Sequence, residues 1–135
     1  MKISKLGSKG FTIVELLIVI VIIGILATIG FVSFSSAQNK AKKSKAQSTV
    51  SQVKSKLGEY FAENNSYPSA KADLVTYLNG NGGATTATEF GDSNYGYSAT
   101  PSGCTTAADD CTAFTLTADA DYWNGGSDPD LSVTE

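Results

Sequence analysis

From Leu16 to Asn39 this chain of 135 residues has no charged side chain, and from Leu16 to Ala27 it is apolar throughout except for Gly24. At about 1.5 Å per residue, roughly 20 helical residues cross a 30 Å hydrocarbon core, so the segment Phe11 to Phe34 can span a bilayer as one helix. At roughly 1.5–3 kcal/mol per fully buried side chain, such a run is not left in water. It needs lipid or other helices around it. Glu15 resists this environment, because a carboxylate well inside hydrocarbon costs about 2.5–3.5 kcal/mol on insertion scales. The first-turn macrodipole favours an acid by about 0.3–1 kcal/mol, and a new amino terminus at Phe11 would provide a full positive charge one turn away.

The order of the N-terminal elements is informative. Lys2, Lys5 and Lys9 lead into Gly10-Phe11-Thr12-Ile13-Val14-Glu15, and the apolar run follows. An ordinary secretory signal is cut behind its apolar part and discards it; cleavage at Gly10 keeps it. Ser35-Ser36-Ala37 offers a conventional small-x-Ala site, but the apolar stretch before it exceeds the about 7–15 residues of a signal h-region. Gly10 through Ile20 resembles the class III signal peptide of type IV pilins and of the pseudopilins of type II secretion. The resemblance implies cleavage after Gly10 and methylation of the Phe11 amine by a prepilin peptidase. It also implies that Glu15 guides docking of each subunit into a homo-oligomeric helical filament, built by a pilus assembly machinery.

Beyond the apolar run, Ala46, Val50, Val53, Leu57 and Tyr60 or Phe61 recur at steps of three or four, with lysines between them. That spacing predicts an amphipathic helix continuous with the apolar one, since no proline intervenes between Phe11 and Tyr67. Asn64-Asn65-Ser66-Tyr67-Pro68 is expected to stop it. Tyr60 to Ser69 also resembles the aromatic stem ending of pilins and major pseudopilins. One departure is Val32, where many major pilins carry a proline; Gly24 and Gly30 remain as weaker points at about 1 kcal/mol each relative to alanine. Gly24 and Thr28 form a small-x-x-x-small pair compatible with close helix approach.

A short helix is expected from Ala70 to Leu78, then coil through the Gly, Asn and Thr-rich stretch to Thr88. Strands are expected at Tyr95 to Ala99 and Ala113 to Ala118, with Leu131 to Thr134 as an edge strand. The fold class is α+β: a long N-terminal helix, membrane-spanning and then amphipathic, with a small C-terminal antiparallel sheet packed on it. The expected organisation is a leader at 1–10, a stem at 11–64 whose transmembrane part is 11–34, and a head at 65–135 that forms one composite unit with the stem. So small a head is expected to lean on Val50, Val53, Leu57 and Phe61.

Cys104 and Cys111 are the only cysteines. A disulfide is their simplest use and two unpaired thiols the alternative; two cysteines without any histidine are too few for a structural zinc site. Lysines flank both ends of the apolar run, so charge does not decide its orientation. A disulfide would place the head outside the cytoplasm and the leader inside. Together with the resemblance to type IV pilins, this implies a single-pass inner-membrane precursor before assembly and an extracellular pilus after it.

Charge is segregated. The stem carries Lys40, Lys42, Lys43 and Lys45, whereas from Ala72 onward there are ten acids and no lysine or arginine. Three readings stand for the lysines: contact with the acidic head of a neighbouring subunit, a solvated surface, or contact with anionic lipid. The head should repel duplex DNA, so direct nucleic-acid binding is not expected. Asp119, Asp121, Asp128 and Asp130 surround a Gly-rich turn and are weak calcium candidates; their spacing is not an EF-hand, and no other cofactor is expected. The chain lacks histidine and arginine, so Ser-His and Cys-His catalysis is impossible, and no phosphate-cradling loop appears. A structural, non-enzymatic pilus subunit for adhesion, motility or DNA uptake is expected, with a secretion pseudopilin or an unassembled anchored binding protein as alternatives.

Overall fold

One helix, α1 (Ile13–Asn64), accounts for the first half of the computed structural model, which describes residues 10–108, 110–126 and 128–135. The expectations placed on leader residues 1–9, on the side chain at Val32 and on Asp109 lie outside the described residues. The chain divides into two units, Met1–Ala37 and Gln38–Glu135.

In the first unit α1 is apolar all round. Its large hydrophobic side chains between Phe11 and Phe34 are 50–87% exposed, and an 18-residue window reaches a mean hydropathy of 3.0 with none of it buried. By length and composition this segment can cross a membrane. Thr28 turns its hydroxyl back onto the Ile25 carbonyl at 2.7 Å, so its polar group is satisfied within the helix.

In the second unit the amphipathic half of α1 supplies a stripe of Ala46, Val50, Val53 and Leu57, all buried. The helix ends where Asn65 adopts a left-handed conformation, φ 54°, and returns its amide to the Phe61 carbonyl at 2.7 Å. Asparagine tolerates that conformation, so the stop is built from the residue type expected to provide it. Helix α2 (Lys71–Gly80) follows, burying Leu74 and Leu78.

Where coil is expected up to Thr88, the chain forms a third helix, α3 (Ala84–Phe90). Its two buried residues are Ala87 and Phe90. Seven residues with three threonines have little intrinsic helical preference, so the helix depends on driving Phe90 fully into the core. Only tertiary packing could supply that stability.

Strands β1 (Tyr95–Thr100), β2 (Ala113–Ala118) and β3 (Leu131–Thr134) form an antiparallel sheet in that order. The register pairs Tyr97 with Leu116 and Leu116 with Val133. One face therefore carries Tyr95, Tyr97, Phe114, Leu116, Ala118, Leu131 and Val133 toward the α1 stripe, whereas Ser98, Thr115, Thr117 and Ser132 take the other. Between β2 and β3, α4 (Asp121–Asn124) buries Trp123 and ends at Gly125 and Gly126, at φ 56° and 75°, which glycine adopts without the Cβ penalty.

Aromatic rings tie the stem end to the sheet. Phe61 meets Tyr67 at 4.7 Å between centroids, and Tyr67 meets Phe114 edge-on at 4.8 Å. The buried turn Ser66-Tyr67-Pro68 is held from two sides: Tyr67 N donates to the Cys111 carbonyl at 2.9 Å, and the Tyr97 hydroxyl donates to the Pro68 carbonyl at 2.6 Å. Burial raises the pKa of the Tyr97 hydroxyl, in keeping with a neutral donor.

Candidate functional site

The N-terminal motif lies at the very start of α1. Gly10 and Phe11 precede the helix, and Phe11 is 82% exposed, so the Gly10–Phe11 bond lies on an accessible, non-helical stretch. A Cβ built on Gly10 meets nothing within 4 Å. Packing among the described residues therefore does not demand glycine there.

Thr12 and Glu15 form a reciprocal cap. Glu15 N donates to Thr12 Oγ1 at 3.2 Å, while Glu15 Oε2 accepts from Thr12 N at 2.9 Å and from the Thr12 hydroxyl at 2.8 Å. With Ile13 as the first helical residue, Thr12 is the N-cap and Glu15 occupies the third position, which is the Thr-x-x-Glu capping box. The carboxylate is thus held at the mouth of the apolar helix by two donors from Thr12. The Thr-x-x-Glu spacing is visible in the sequence, and Thr12 is the residue that reading by charge alone passes over.

Residues 5–31 match the family model described as the prokaryotic N-terminal methylation motif. This segment is a type IV pilin-like class III signal peptide. The match covers Gly10, Phe11, Thr12, Glu15 and most of the apolar run, and it ends before the lysine-bearing part of the stem. No curated protein matches, and no solved structure matches. The motif implies processing by a prepilin peptidase and, with the apolar helix, anchoring of the pilin-like precursor in a membrane before assembly.

The other sequence-predicted residues lie in the second unit. Cys104 and Cys111 form a disulfide with their Cα atoms 5.2 Å apart. Asp110 lies beside the two sulfurs, but its carboxylate accepts from Thr105 N at 2.6 Å and the bonded sulfurs offer no thiolate, so this trio is a loop clasp.

Two of the four cluster lysines are engaged within the chain. Lys43 pairs with Asp128 at 2.8 Å, and Lys45 pairs with Glu89 on α3. The Lys43 ammonium, with help from the Trp123 indole N–H at 3.3 Å, holds the Asp128 carboxyl below its ordinary range. The bond to Glu89 raises the pKa of Lys45. Lys54 adds a third tie, to the Glu135 side chain at 3.3 Å. One reading of the sequence leads to contacts between these lysines and the acidic head of a neighbouring subunit; Lys43 and Lys45 instead meet acids of their own head. Among the described residues Lys40 and Lys42 form no ion pair, although the Lys42 ammonium lies 5.5 Å from the Tyr122 ring centroid.

The calcium candidates are not brought to one point: no three of their carboxylates approach one another closely enough to share an ion. Asp119 Oδ1 accepts from Asp121 N at 2.8 Å, Asp130 Oδ1 accepts from Ala120 N at 2.9 Å, and Asp128 faces Lys43. These acids hold the turns around α4.

Proposed function

We propose that this pilin-like precursor is a structural subunit of a type IV pilus, cut after Gly10, methylated at Phe11 and polymerised through its N-terminal helix into an extracellular fibre. The observation that carries the reading is the pairing of the processing motif with a helix whose apolar side chains are at least half exposed on all sides. Lipid satisfies that surface before assembly, and packing against the same helix of other copies satisfies it afterwards. Glu15 provides the polar anchor at the helix mouth. In a neighbouring copy the methylated Phe11 amine is the natural partner for this carboxylate, which would exchange its Thr12 contacts for an ion pair. No catalytic residue is assigned, and the role is mechanical. The disulfide in the last third of the chain favours a surface pilus over the pseudopilin of a secretion system only by resemblance, since surface pilins commonly carry one there. The pseudopilin reading draws on the buried Tyr67-Pro68 stem ending.

The deciding experiment is intact mass and N-terminal sequencing of protein sheared from the cell surface. A species beginning at methylated Phe11 and two hydrogens light for the disulfide is the expected result. A chain missing from that fraction and still beginning at Met1 would overturn the proposal. Long fibres rather than short periplasmic ones would separate pilus from pseudopilus.

A further inference from the structure

The head carries a shallow, open cleft. It has a volume of about 550 Å³ and is lined by Tyr60, Ser69, Asp73, Tyr77, Thr105 and Thr106, among others. It lies where the end of α1, the start of α2 and the disulfide loop meet. Tyr60 and Tyr77 stand edge to face with centroids 4.8 Å apart, and Ser69 Oγ donates to Asp73 at 3.0 Å. The Tyr77 hydroxyl donates to Glu63 at 3.1 Å, which places a second carboxylate beside that hydroxyl.

This cleft is aromatic and anionic, and no lining residue is cationic. The lysines nearest in sequence are taken: Lys56 by Glu59 at 2.6 Å, and Lys71 by the Asp92 and Tyr95 carbonyls at 2.7 and 2.6 Å. Ring faces and carboxylates together attract an ammonium group. Exposed Lys40, without an ion pair among the described residues, is a ligand of that chemistry. It cannot reach its own cleft. Lys40 and Tyr60 lie twenty residues apart on the same uninterrupted helix, hence about 30 Å apart along its axis.

We propose that the Tyr60–Asp73–Tyr77 cleft receives the Lys40 side chain of a second copy of this chain, displaced by about 30 Å along the helix axis. The two patches differ, so the contact is heterologous, and repeating it with a fixed step builds an open helical polymer rather than a closed dimer. The inference rests on the filament reading and deepens it by naming one contact and its axial step.

Carbodiimide, a zero-length amine-to-carboxyl coupling reagent, applied to sheared fibres and followed by peptide mapping tests it. A Lys40–Asp73 amide is expected in fibres and absent from detergent-extracted monomer. Because the spacing within one chain is too large for direct coupling, such a link joins two copies. Asp73→Lys and Lys40→Glu alone should each lower fibre yield about tenfold, and the double exchange should restore most of it. Thermal melts of the extracted subunits, with Ser69→Ala as the control for the local hydrogen bond that Asp73→Lys removes, separate lost contact from lost folding. Fibres in which Lys40 couples only to other carboxylates, with Asp73→Lys assembling normally, would sink this contact and leave the filament reading standing. Lys40 shielded by anionic vesicles but not by assembly would assign it to lipid instead. If the wild type yields no processed fibre at all, both readings fall together.

Discussion

The Thr12–Glu15 cap shows how one residue can satisfy two demands. Glu15 must tolerate the edge of an apolar environment, and Thr12 supplies two of its donors from within the same turn. Thr12→Ala removes the hydroxyl and the reciprocal bond, so amide exchange in the first turn of α1, followed by NMR in detergent micelles, should speed up roughly fivefold. Asp128 offers a second residue-scale test. Its folded pKa is depressed by Lys43 and Trp123, so its contribution to stability is fully present above the ordinary value of 3.8 and is lost as pH falls through the lower folded value. In Lys43→Met the Asp128 carboxyl, followed by its chemical shift, should titrate closer to 3.8. An unmoved titration would show that Trp123 alone holds it. The lysine pairing was only half legible, because spacing reveals a basic stem and an acidic head but not that Glu89 and Asp128 fold back onto their own stem.

Among elements, the stem helix and the three strands were readable because their signals are periodic. Phe114 and Leu116 alternate with threonines and point into the core as a half-buried strand requires. Helix α3 was not readable, since its sequence has weak propensity and a single large anchor. Phe90→Ala should therefore melt α3 and cost about 3–5 kcal/mol, measured by chemical denaturation of the head. The disulfide loop closes only a short segment, so replacing both cysteines by serine should cost about 2–3 kcal/mol on the chain-entropy estimate. The loop's hydrogen bond from Tyr67 N to the Cys111 carbonyl should be the first protection lost. A variant as stable as the parent would mean that the surrounding hydrogen bonds carry the loop unaided.

Within the second unit the head is fastened to the amphipathic half of α1 by a packed stripe and by polar ties whose pH limits differ in sign. On the acid side the Asp128 tie fails as pH drops below the ordinary aspartate range. On the alkaline side burial pushes the Tyr95 hydroxyl up to about 12, so its contribution is complete below the ordinary value of 10.0 and disappears as pH rises toward 12. Lys45, raised by Glu89, acts in the same sense: its contribution is present below 10.5 and lost above it. Alkaline unfolding of the head, read by tyrosinate absorbance, should thus show a late tyrosine that ionises together with loss of structure. In Glu89→Gln the lysine tie weakens and the transition should move to lower pH.

The sequence alone determined the elements that local physics governs. The apolar run specifies a membrane-length helix, Gly10 through Glu15 carries the methylation motif, and alternation specifies the sheet. Each is a short-range pattern, complete within a few turns or one strand. Tertiary structure decided what depends on residues far apart in the chain: the existence of α3, the return of acidic side chains to Lys43 and Lys45, and a tyrosine-lined cleft assembled from α1, α2 and the disulfide loop. Those features follow from burying Phe90, Leu57 and Leu116 in one shared core, and no local pattern reports which distant surfaces that burial will bring together.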